Sequence, residues 1–156
     1  MSKRMIGDRI LQLPQERALL DLYKTARTRE EFSSRIQSMA GMVVAINEAA
    51  IARQLGKDLP EERGSLNLLR HWLQVTVSGP DIDEVCGVLK RINDLRKGYP
   101  AHGDNADTVL EAHDFFGVRY PIEDFGAAWE RILRRYFEAM KKMSRMLADA
   151  RDSEVD

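Results

Sequence analysis

A single cysteine, Cys86, stands among 156 residues. No intramolecular disulfide can form from it, and no cysteine cluster can hold zinc. No stretch approaches the ~18 apolar residues of a membrane-spanning helix. The opening segment MSKRMIGDRILQLPQER is basic but lacks the apolar run of a secretory signal. Charge of one sign is not in excess either: 24 Lys+Arg face 25 Asp+Glu. With no net field to draw the protein onto nucleic acid or lipid, a polyanion would have to be held by a local patch. A Walker-type glycine loop, Gly-x-Ser-x-Gly and His-Glu-x-x-His are all missing. These absences point to a cytoplasmic protein without a membrane segment, and no metal or cofactor is expected.

What is present is a globular composition, 44% hydrophobic and 31% charged, long enough for one domain with a substantial core. Strand-like alternation is lacking, whereas helical spacing recurs throughout. The five prolines, at 14, 60, 80, 100 and 121, lack an amide donor and disfavour helix at the preceding residue, so they punctuate the chain. The expectation is an all-α bundle of four to five main helices. Residues 1–27 form an N-terminal helical extension, with one short helix before Pro14 and another from Gln15 to about Ala26. The main domain spans 28–150, and the acidic stretch 151–156 is a disordered tail.

Within the domain, Thr28 reads as an N-cap followed by Glu30 and Glu31, starting a helix expected to run to Leu55 and stop at Gly56. Phe32, Ile36, Met39, Val43, Ile46 and Ala50 trace its apolar stripe. Beside them Ala40, Gly41, Ala45, Ala49 and Ala52 form a small-residue face, suited to core packing or to a helix–helix dimer contact. KDLPEERG is a charged loop. Ser65 opens a helix with two apolar faces, outside which His71 falls, as an exposed or locally bonded residue. After Pro80, Ile82, Val85, Leu89 and Ile92 form the next stripe, with Arg96 at the end of the same inward-facing strip. A short helix near Asp107–Phe116 precedes a long last one, Ile122–Ala150. Its stripe is Phe125, Trp129, Ile132, Tyr136, Met140, Met143 and Leu147. The other face carries Arg131, Arg134, Arg135, Lys141, Lys142 and Arg145, a solvated face or a phosphate-binding one.

The segment LRKGYPAHGD, residues 95–104, is the one stretch able to carry chemistry. In a continuous helix Arg96 and His102 would point about 120° apart. Pro100 ends the helix, and Gly98 and Gly103 free the backbone to fold the imidazole back beside the guanidinium. A histidine can pass protons near neutral pH, and an arginine can grip phosphate through two hydrogen bonds. Together they suit phosphodiester cleavage by an RNA's own 2′-hydroxyl. That reaction needs a proton acceptor, a proton donor and a cation. The same residues have structural uses: Arg96 and Lys97 at a helix C-terminus each gain about 0.3–1 kcal/mol from the helix dipole. His102 and His113 with Asp104, Asp107 and Asp114 match no standard metal-ligand spacing.

An all-helical domain with Arg-x5-His at a helix end, here RKGYPAH, resembles the HEPN superfamily. The resemblance covers about Thr28 to Leu147 and implies a HEPN-like helical domain with the activity of a metal-independent endoribonuclease. Arg96 and His102 would be catalytic, and two copies would face each other in a homodimer. Lys97 and Tyr99 beside the motif, with Arg131, Arg134 and Arg135, are the expected substrate contacts. The position after the arginine is often Asn, Asp or His in that family; here it is Lys97, a cation that can still bind phosphate. The implied partner is RNA, with a protein partner or antitoxin, in prokaryotic defence or toxin–antitoxin control. A non-catalytic module that binds nucleic acid or protein, or a helical scaffold, is the alternative.

Overall fold

The computed structural model describes residue 10 and residues 16–77, 79–99 and 106–153, with backbone alone for 17 and 18. The helix expected before Pro14 and the motif residue His102 lie outside the described residues. Seven helices and no strand are found among them: α1 (Glu16–Leu22), α2 (Arg29–Val43), α3 (Glu48–Leu55), α4 (Ser65–Thr76), α5 (Asp81–Arg96), α6 (Ala106–Phe116) and α7 (Phe125–Ser153). Five of these have eleven or more residues and form the bundle. The chain is all-α.

Helix α5 is the central element, packed against α2, α4, α6 and α7. Its stripe of Ile82, Val85, Leu89 and Ile92 is buried, and Cys86, Val88 and Leu95 widen the stripe into a broad apolar face. A helix enclosed by several neighbours requires such a face. Pro80 is its N-cap, where the missing amide costs little. Buried Cys86 has its thiol pushed up to about 11, first by burial, which keeps it an inert core residue.

The start of α2 is as expected, with Thr28 Oγ1 accepting the Glu31 amide at 3.2 Å. Its end is not. The helix expected to reach Leu55 stops at Val43, and α3 begins at Glu48. Asn47 explains the break, because its side chain accepts the Ala50 amide at 3.0 Å and caps a new helix. The Asn47 amide in turn donates to the Ile10 carbonyl at 2.7 Å, so a residue of the N-terminal segment lies against the junction. The break also divides the small-residue face: Ala40 is fully buried in the core, while Gly41 and Ala49 are exposed.

The last helix starts at Phe125 rather than Ile122, because Asp124 accepts the Ala127 amide on Oδ1 at 3.0 Å. It continues through Ser153, three residues into the stretch expected to be a tail. Trp129, Ile132, Tyr136 and Met143 are buried, and Phe125, Met140 and Leu147 pack against them at the margin. The described part of the N-terminal extension contributes to this core. Leu22 and Ala26 are buried, and Trp129 Nε1 donates to the Leu22 carbonyl at 3.2 Å. Among the described residues no helix is long and apolar enough to cross a membrane.

Candidate functional site

The motif helix ends at Arg96. Past it, the Lys97 amide donates to the Asp94 carbonyl at 3.1 Å, the Gly98 amide to Leu95 at 3.0 Å and the Tyr99 amide to Arg96 at 3.3 Å. These tight bonds close the C-terminus of α5. Gln37 on α2 completes the closure by donating from Nε2 to the carbonyls of Arg96 and Tyr99.

Gly98 is where α6 crosses this turn. A Cβ there would lie 2.6 and 2.7 Å from the two γ-carbons of Val109. Close approach, rather than an unusual backbone angle, therefore requires glycine. Gly98→Ala should destabilise the fold by about 1–3 kcal/mol, the usual range for overpacking. Adding Val109→Ala should bring the double variant out more stable than the sum of the single changes. Urea unfolding of the four proteins checks this; strict additivity would show that Val109 is not the obstruction.

Tyr99 turns inward. It is only 4% exposed, packs edge-on against Phe32 at 5.1 Å, and pairs its hydroxyl with His113 Nε2 at 2.7 Å. Burial pushes the phenol up to about 12, the nearby Tyr120 hydroxyl adding to the rise and the Arg29 guanidinium opposing it. His113 is buried on α6, with Tyr120 edge-on to its ring at 5.4 Å. Its Nδ1 makes no bond of proper geometry, although the Val118 backbone lies near enough to favour the charged ring slightly. Burial outweighs that and holds His113 below the ordinary histidine value of about 6.5. The unfolded chain therefore takes up a proton near pH 6.5, before the folded ring does. Stability is full above that pH and falls as pH drops from 6.5 toward the lowered value. Wild-type protein should lose more urea resistance between pH 8 and pH 5.5 than His113→Gln; equal losses would contradict this.

Arg96 is exposed, not the inward end of the Ile82–Ile92 stripe. Stepping from Ile92 by four places it just outside the buried arc, where a guanidinium reaches water. Lys97 is engaged, with Nζ 3.1 Å from Oδ1 of Asp94. Asp94 is buried at 4% exposure and is also met by Arg91 Nη1 at 3.5 Å. Arg91 reaches on to Glu111 at 2.9 Å. Losing either cation would leave a buried carboxylate short of a partner, a costly state. Lys97 thus has a structural duty that the sequence pattern did not reveal.

Two depressions flank this helix end. A polar groove of about 750 Å³ on α4 and α5 is lined by Arg70, Lys90, Asn93, Asp94, Arg96 and Lys97 among others. Arg70 is paired with Asp83 at 2.7 Å, whereas Arg96 and Lys90 form no ion pair among the described residues. An apolar cleft of about 270 Å³ lies on the other side, with Gly98 and Tyr99 in its wall.

The arginines of α7 line neither depression. Arg131 donates to the Gly117 carbonyl at 3.3 Å. Arg135 donates to the Phe115 carbonyl at 3.4 Å and stacks on the Phe115 ring at 4.7 Å. Both satisfy carbonyls at the end of α6, where cations are favoured. Lys142 reaches Glu84 on α5 at 2.6 Å. Arg134, Lys141 and Arg145 are exposed. The site brings Arg96, Lys97 and Tyr99 together at one helix end and leaves Arg131, Arg134 and Arg135 apart from it. His71 is locally bonded, with Nε2 2.5 Å from the Asp58 carbonyl. No three His, Cys, Asp or Glu side chains converge as a metal site among the described residues.

The fold and this helix end define an all-α bundle with an exposed cation at the C-terminus of its central helix. No protein-family model, curated protein or solved structure matches the chain.

Proposed function

We propose that the chain is a metal-independent endoribonuclease of HEPN type, working as a homodimer. Arg96 clamps the scissile phosphate and its transition state, and His102, assigned from the sequence, passes protons as general acid and base. The observation that supports the reading is Arg96 itself. It is exposed, free of ion pairs among the described residues, and set beside a polar groove at a helix end fixed by Gln37 and the Tyr99–His113 bond. A guanidinium not committed to a protein carboxylate keeps its planar fork for a phosphate. Defence or toxin–antitoxin control is the setting that such an activity implies by analogy.

Arg96→Ala should lower the cleavage rate by about 10²–10³-fold, as for loss of a main oxyanion donor. Arg96→Lys should restore only part of it, since a point charge cannot replace the fork. Arg96 is exposed, so both variants should fold and keep the dimer mass in light scattering. Full activity in Arg96→Lys would remove the clamp from the account. The pairing of Lys97 with Asp94 favours a second reading, a non-catalytic module that binds nucleic acid or a protein partner. Equal RNA binding by wild-type and His102→Ala protein, with cleavage by neither, would make it the better one.

A further inference from the structure

The apolar cleft beside the motif turn has a composition that core packing does not account for. Its walls come from three places: the turn after α5 (Gly98, Tyr99), the first turns of α6 (exposed Ala106 and Leu110 with buried Val109) and the segment entering α7 (Tyr120, Pro121, Ile122, Phe125). Leu110 and Tyr120 are large apolar groups left 43% and 61% exposed. Among the described residues the one charged side chain in the wall is Arg29. Among the described residues it forms no ion pair, and no carboxylate lines the cleft with it. Arg29 also occupies the first position of α2, at the positive end of the helix dipole, where a cation is disfavoured. Local helix energetics therefore do not explain it. Glu30 and Glu31 supply the expected acidic first turn, yet neither reaches into the cleft wall.

We propose that this cleft is a binding site for a small aromatic carboxylate, its ring held by the Tyr120, Phe125 and Leu110 walls and its anion by Arg29. Size selects the ligand. About 270 Å³ lies just below the usual range for drug-sized ligands, and so suits one or two rings rather than a ring with sugar and phosphate. Charge selects it too, because one unpaired guanidinium matches a single carboxylate, bidentate and planar. Tyr99 does not compete for the anion, since its hydroxyl is bonded to His113. The site is independent of any RNA chemistry at Arg96.

The probe is 4-(trifluoromethyl)benzoate, titrated against the full chain and followed by the fluorine line width. Its uncharged amide and a mononucleotide serve as comparison ligands. The acid should bind, and the amide should bind about tenfold more weakly, the loss expected when a charge-assisted contact is removed. Arg29→Gln should weaken the acid by a similar factor and leave the amide unchanged. Ala106→Trp, which fills the cleft from an exposed position, should abolish binding of both. Should that variant fail to melt cooperatively, Leu110→Trp replaces it with the same expected loss. Equal binding of acid and amide, acid binding indifferent to Arg29→Gln, or no binding of either would overturn the proposal. Tighter binding of the mononucleotide would overturn the ligand class.

Discussion

His102→Ala should lower RNA cleavage by about 10²–10⁴-fold, the usual contribution of a positioned proton-transfer group. The expectation gains force from what the other histidines do. The chain has three. The His71 ring is held against the Asp58 carbonyl, and His113 is buried with Nε2 bonded to Tyr99. Neither is free to move a proton at Arg96, which leaves His102 for the proton transfer the reaction needs. His71→Ala should therefore cleave at close to the wild-type rate. Single-turnover rates on one RNA, with dimer mass and melting curves for each variant, separate chemistry from folding. Equal rates for wild-type and His102→Ala protein would mean that the activity comes from a contaminant.

Trp129→Ala should be among the most destabilising single changes, costing about 3–5 kcal/mol as for other buried tryptophans. The side chain is 1% exposed at the middle of the core. Its Nε1 also carries the bond to the Leu22 carbonyl, 107 residues away in sequence. Truncation opens a cavity and leaves that carbonyl without its partner, a further penalty for a buried group. Trp129→Phe fills most of the volume but cannot donate, so it should fall between alanine and wild type. For a domain of this size each kcal/mol moves the melting temperature by roughly 2–4 °C. A shift within 2 °C for Trp129→Ala would show that α1 and α7 do not share one core.

Helix existence was legible at several points where an apolar stripe followed a proline or a capping residue. Thr28, Pro80 and the Trp129–Ile132–Tyr136 spacing each marked an element correctly. The break between α2 and α3 was hidden because the stripe Met39, Val43, Ile46, Ala50 continues across it in helical register. Only Asn47 signals the new start, and a capping residue inside a periodic run is easily read as an exposed helical position. Asp124 was missed in the same way, masked by the apolar Ile122 and Phe125 around it. At the motif the helix end was readable, but Gly98 serves the close approach of Val109 rather than backbone freedom, and the duties of the side chains were hidden. The Tyr99–His113 bond joins residues 14 apart in sequence, and nothing in either residue's local pattern predicts it. Lys97 with Asp94 is a three-residue helical spacing that reads as an ordinary surface pair. Nothing in that spacing reveals that the carboxylate is buried. Arg131 and Arg135 form a basic stripe by sequence, yet they satisfy carbonyls of a neighbouring helix end, a tertiary use that a charge pattern cannot disclose.

The central claim is cleavage by the substrate's own 2′-hydroxyl, carried out by side chains alone. The most direct measurement uses two RNAs identical except for one 2′-deoxyribose at the mapped cleavage position, each incubated with wild-type protein in EDTA. The account predicts that the all-ribose RNA is cut at an undiminished rate. The deoxy-substituted strand should stay intact at that position while binding with similar affinity, because the phosphate contacts of Arg96 remain. Cleavage of both strands, or loss of all cleavage on adding EDTA, would contradict it.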